Sequence, residues 1–210
     1  MFVKLSVVFL LCVSIINASL ASEVVEWNTL QPDLPEKNIV LPELTKEQLG
    51  KIQEIFSLMH THDRDTHSEI DKIKAELKQE GIDADEMFRI REEYMVQKQE
   101  EVESLNHQLD GKDIRMAGFL LPVAFKGDMV TTEFLLVPTA GACVHMPPPP
   151  ANQIIRVSFP QGYSIKTVKE PIWVEGKLNA NLHTENLHIV DGKRDITMGY
   201  SMVATNVTEL

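Results

Sequence analysis

Apolar residues recur at helical spacing from Leu49 through Ile52, Phe56 and Met59. Continuing the same three-four alternation lands on Asp63, Thr66, Ile70, Ile73 and Leu77. The seam keeps its phase through a polar middle, which predicts one long amphipathic helix rather than two short ones. Thr45-Lys46-Glu47-Gln48 in front of it fits a capping box, in which the Thr hydroxyl and the Gln amide satisfy the first free backbone groups. Gly81 reads as the stop, and Asp83 or Asp85 as the cap of a second helix running to about Leu109. Met87, Ile90, Met95, Val102, Leu105 and Leu109 are its apolar contacts. Two long helices joined by a short connection predict an antiparallel hairpin over 45–110. Such a hairpin buries little by itself and is expected to rest on the next domain or on a partner. The charge-dense stretch Arg89 to Glu103 reads as its solvated face.

Past Gly111 the period changes from helical to alternating. Ile114 to Leu121, Glu133 to Val137, Ile154 to Phe159, Ile172 to Leu178 and Thr197 to Val207 read as strands, with turns at Gly127-Asp128, Gly162 and Asp191-Gly192. Gly118 and Gly176 inside strand patterns mark bends of a curved sheet. Five strands with no helix between them predict a small antiparallel barrel or sandwich over 111–210, with the OB-like barrel preferred on strand count. The fold class expected is therefore α+β, a helical hairpin followed by a barrel. Residues 22–44, with Pro32, Pro35 and Pro42 and little periodicity, read as an extended arm that Trp27 docks onto the body.

Composition narrows the classes. The chain has 210 residues, 43% hydrophobic and 24% charged, with a formal charge of -11. That is an ordinary folded protein, and its acidity argues against binding nucleic acid. Residues 1–21 read as a signal peptide: Lys4, an apolar run from Leu5 to Ile16, then small Ser19 and Ala21 before the cut. Leu11 before Cys12 is wrong for lipidation. Cleavage would leave Cys143 as the one cysteine, in a periplasm that permits disulfides it cannot form alone. The membrane would be reached only through a partner or an uncleaved signal.

The unusual stretch is Cys143-Val144-His145-Met146-Pro147-Pro148-Pro149-Pro150-Ala151-Asn152-Gln153. Four prolines make a stiff polyproline strut directly after two side chains that extended backbone points the same way. Thiolate and imidazole suit zinc, and the Met146 sulfur suits copper(I). His145 could equally lower the pKa of Cys143 and make a nucleophile. A haem ligand is a weaker third idea. Against all of these stands a buried cysteine and a hydrogen-bonded histidine with no chemistry. His183 and His188 could complete a metal site, though nothing in their spacing requires it.

That block, together with Ala117-Gly118-Phe119-Leu120-Leu121-Pro122, Glu133-Phe134-Leu135-Leu136-Val137-Pro138 and Pro171-Ile172-Trp173-Val174-Glu175-Gly176-Lys177-Leu178, closely resembles the bacterial family known as domain of unknown function 3299. The resemblance covers roughly Leu109 to Val207. It implies an exported protein, often encoded beside an ABC transporter of the lipoprotein-releasing and macrolide-export type, in clusters some of which respond to zinc. Many relatives carry an aromatic where this chain has Thr139-Ala140; if that residue shields the cysteine in relatives, the resemblance implies a more exposed Cys143 here.

A second candidate lies on the helices. His60, Asp63 and His67, spaced i, i+3 and i+7, would share one face of a continuous helix, roughly opposite Glu100, Glu101 and Glu103. This arrangement predicts weak zinc binding that acid would abolish. The plain alternative is a solvated polar face. The function expected from all this is a non-enzymatic periplasmic accessory protein of an envelope ABC transport system, with zinc or another divalent metal as its possible ligand. A thiol-dependent enzyme using Cys143 and His145, or a purely structural module, are the alternatives.

Overall fold

The structure, a computed structural model, describes residues 22–35, 37–61, 66–125, 129–141, 149–167, 169, 171–189 and 192–210. It is an α+β arrangement: three helices, α1 Lys46–Met59, α2 Thr66–Gln79 and α3 Ala84–Glu103, precede most of a six-stranded sheet. The strands are β1 Glu23–Val24, β2 Asp113–Phe125, β3 Val130–Val137, β4 Ile155–Ser164, β5 Pro171–Ile189 and β6 Gly192–Glu209.

The expected single long helix is two. α1 stops at Met59, and the chain returns as α2. Gln48 and Lys51 of α1 bond Glu80, just past the end of α2, so the pair is antiparallel. The reason is burial. A straight helix would leave the apolar positions of both halves in water, whereas folding back packs Ile55 against Ile70, Ile73 and Leu77. The polar middle of the seam carries no apolar side chain at Asp63 or Thr66 with which to favour a continuous helix. Local signals held: Thr45 and Gln48 form the capping box, and Asp83 caps α3 through the amides of Asp85 and Glu86. The second helix ends at Glu103, short of the expected Leu109, because Leu105 and Leu109 leave the helix to enter the sheet core.

Within the sheet the order is β1-β2-β3-β4-β6-β5, and β2 pairs with β5 as well. Neighbours are antiparallel except β1–β2 and β4–β6. β3 is buried without interruption from Phe134 to Val137. Pleat alternation sends Phe134 and Leu136 into one core and Leu135 and Val137 into another. A strand covered on both faces reads as a continuous apolar run. The second cover comes from an element the sequence reading cut short. β5 and β6 continue past Leu178 as a long two-stranded extension, and Leu187, Ile189, Ile196 and Met198 on it close over Leu121, Leu135 and Ile154.

Two expected glycine roles differ. Gly162 is not a turn between strands but lies inside β4 at φ +85, where the register against β3 jumps between Thr131 and Glu133. Gly118 lies at no register shift. It makes room for the Trp27 indole, which a Cβ there would approach to 2.8 Å. Gly176 does sit at a register shift, between Glu175 and itself. The Gly127-Asp128 turn and Asp191 lie outside the described residues.

Candidate functional site

The proline block leaves β3 and returns to β4. Its residues Cys143, His145, Met146, Pro147 and Pro148 lie outside the described residues, as do residues 1–21, for which a signal peptide is expected. The block's downstream end is described. Pro149 and Pro150 lead into one 3-10 turn, Ala151–Gln153, closed by the Gln153 amide donating to the Pro150 carbonyl at 2.8 Å.

Asn152 is fully buried, unusual for an amide side chain. Its Nδ2 donates to the carbonyls of Glu101 at 2.8 Å and Ser104 at 3.2 Å. These belong to the last turn of α3, where carbonyls lack intrahelical partners, so Asn152 caps that helix from another part of the chain. Its Oδ1 lies 3.4 Å from Gln31 Nε2 of the arm. Gln153 Nε2 donates to the Trp27 carbonyl at 3.0 Å. Gly199 of β6 lies beneath: a Cβ there would be 2.9 Å from the Ala151 carbonyl oxygen. One turn thus joins the arm, α3 and the sheet to the end of the proline block.

Two residues passed over in the sequence reading complete the joint. Tyr200 is fully buried; its hydroxyl donates to the Leu30 carbonyl at 2.5 Å and accepts from the Asn106 amide at 2.7 Å. Burial pushes the phenol pKa up, against a smaller lowering by the Asn106 hydrogen bond. Asn106 Nδ2 holds the Thr29 carbonyl at 2.8 Å. The available signal was a lone tyrosine in an apolar strand, whose hydroxyl must find a partner when buried. Trp27 docks the arm as expected, its indole donating to the Ala117 carbonyl at 2.8 Å.

The helical histidines are not on one helix. His60 ends α1, its Nδ1 2.7 Å from the Phe56 carbonyl oxygen and its ring 4.4 Å from that of Phe56. His67 lies in the first turn of α2, and Asp63 lies outside the described residues. The carboxylates expected opposite are engaged elsewhere: Glu100 with Lys37 of the arm at 2.7 Å, Glu101 with Lys98 at 2.6 Å, and Glu103 with Gln99. His183 bonds the Asn181 carbonyl through Nδ1 and lies 3.3 Å from Glu185 through Nε2, while His188 stands opposite Lys193. Among the described residues no group of three or more His, Cys, Asp or Glu side chains is gathered as metal ligands. No described helix is long and apolar enough to cross a membrane.

These features define an α+β protein whose proline block ends in a structural joint. The chain belongs to the family described as Protein of unknown function (DUF3299), whose model matches residues 27–209. The match reaches well upstream of Leu109, so the arm and helices are part of the family's pattern. A crystal structure of a DUF3299 family protein from Pseudomonas aeruginosa PAO1 is similar over 90% of this chain and 97% of that one, with a TM-score of 0.51 and 23% identity. At that identity the likeness shows the fold alone. No curated protein matches the chain.

Proposed function

We propose that this is a non-enzymatic periplasmic accessory protein of an envelope ABC transport system, in which the stretch around Cys143 and His145 is presented as a recognition element and zinc ligand. The observation that carries the reading is the joint at Asn152. A loop whose downstream end is bonded to a helix, an arm and a strand is held at a set place on the body, which suits presentation of a rigid segment. The same observation favours a structural module as the second reading, with the block serving the fold alone. The five strands β2, β3, β4, β6 and β5 are proposed to form an OB-like barrel. This is supported by the pairing of β2 with both β3 and β5 and by the parallel β4–β6 pair, which link the five end to end. Export rests on the signal-like residues 1–21, and the transporter on the family resemblance.

The test is metal analysis of the periplasmic protein without a histidine tag, then zinc titration of the wild type, Cys143→Ala and His60→Ala/His67→Ala. The expected result is near-stoichiometric zinc lost in Cys143→Ala. Loss only in the double histidine variant would move the metal site to the helices. No uptake in any of them would overturn the zinc assignment and leave the structural module.

A further inference from the structure

Both tryptophans of the chain, Trp27 and Trp173, line one cleft of about 470 Å³ beside the β2–β5 pair, together with Val24, Glu26, Asn28 and Ala117. Each indole is held in place. Trp27 is bonded to the Ala117 carbonyl and packs over Gly118. Trp173 has the Arg115 guanidinium 4.5 Å from its ring centroid, and Arg115 is itself paired with Glu175 at 3.2 Å. Ala117, the register partner of Trp173, lines the cleft with only a methyl group. The cleft wall thus carries two indoles already held in place, which lowers the ordering cost of receiving a ligand.

Asn28 also lines the neighbouring cleft, of about 510 Å³, so the two adjoin. That second cleft is polar: Thr29, Gln31, Asp33, Asn106 and Gln108 line it. Asn106 is spent within the joint. Among the described residues no hydrogen bond engages the Asp33 carboxylate or the Gln108 side-chain amide, and Asn28 uses only its carbonyl oxygen, toward Thr29. Amides and a carboxylate offer both donors and acceptors to hydroxyl groups. The charged side chains lining the pair of clefts are Glu26 and Asp33, and the cation beside Trp173, Arg115, is paired with Glu175; together these disfavour phosphates and other anions. A purely apolar ligand would leave the amide half unpaired.

We propose that this groove binds a neutral oligosaccharide, with one sugar ring against the Trp27 and Trp173 indoles and the hydroxyls of the next toward Asn28, Asp33 and Gln108. The groove uses no residue of the proline block, so the zinc titration neither supports nor weakens it.

The two tryptophans make the test direct, because all indole emission arises at the cleft. The full chain is titrated with maltotetraose, cellotetraose and chitotetraose, following intrinsic fluorescence and calorimetric heat. At least one is expected to give a saturable change, weakened by about tenfold or more in Trp173→Ala, the loss of one stacking contact. The exposed Asn28→Ala and Gln108→Ala variants keep both indoles, and each is expected to weaken binding with the unfolding transition unchanged. No saturable change with any of the three sugars would overturn the proposal. So would binding that the three variants leave intact, or saturation by a hexaproline peptide and by no sugar.

Discussion

The helices and the sheet are stabilised by different means. The sheet places large side chains at zero exposure on both faces of β3, among them Phe134, Leu135 and Leu136. Among the described residues the helices share a core of five buried side chains, Ile55, Ile70, Ile73, Leu77 and Ala84, flanked by partly buried Ile52, Leu58, Ile82 and Phe88, and leave Leu49, Phe56, Met59 and Met95 partly exposed. Their surface carries ion pairs such as Lys51–Glu80, Lys74–Asp85 and Lys98–Glu101. Exposed pairs of this kind contribute little, because water screens them and two long side chains must be ordered. The apolar area removed from water, not the number of charged contacts, ranks the two regions. The helices therefore depend on the joint at Asn152 more than the sheet does.

The strongest way to break the comparison is at Phe134. Phe134→Ala is expected to cost about 3–5 kcal/mol, the cavity and transfer loss of a buried aromatic, and to lower the midpoint of the whole molecule in urea. If only the helices respond, the ranking is wrong. Leu77→Ala removes the centre of the helical core. It is expected to cost about 2–5 kcal/mol locally, so that amide exchange accelerates across α1 and α2 while β3 and β4 keep their protection. Equal acceleration everywhere would mean that the two regions unfold as one.

Asn152→Ala leaves the Glu101 and Ser104 carbonyls without their donor, at a cost of about 1–3 kcal/mol. Exchange should rise in the last turn of α3 and in the arm before anything changes in β3. Tyr200→Phe removes one buried hydroxyl at the same joint and is expected to cost about 1 kcal/mol. Because the phenol pKa is raised in the folded protein, its stabilising effect is complete below the ordinary tyrosine range. It is lost as pH climbs through the folded value, so the wild type should weaken in strong alkali more than Tyr200→Phe does. The smallest effect is acidic. Hydrogen bonds from Lys51 and Arg89 hold the Glu80 and Glu86 carboxyls below their usual range. Their contribution is present above that range and disappears as pH falls through the lowered values. Helical circular dichroism should report a slight loss there, and Lys51→Ala should reduce it; an unchanged loss would remove the Lys51–Glu80 pair as its source.

Much of the architecture could be read from neighbours along the chain. The capping box at Thr45, the Asp83 cap, the change of period after Gly111 and the docking of Trp27 all came from residue types in short-range patterns. So did part of each of the five longer strands, though β5 was read only over its first half. The joint was visible only in part: Asn152 and Gln153 stood out as members of a specific block, but what they hold did not. Cys143 and His145, the residues with the most chemistry in the sequence, lie outside the described residues, and their role rests on the proposed test.

The amino-acid order by itself determined which segments are helical and which are extended. Hydrogen bonding and side-chain period act over a few residues, and they leave their mark in spacing. Three features were decided only by tertiary structure: the return of α2 along α1, the closing of the β5–β6 extension over β3, and the meeting of Asn152, Asn106 and Tyr200. Each brings together residues tens of positions apart. The free energy that favours the first two is gained only when distant apolar surfaces leave water together, and that of the third when distant polar groups pair out of water, and no local pattern records either.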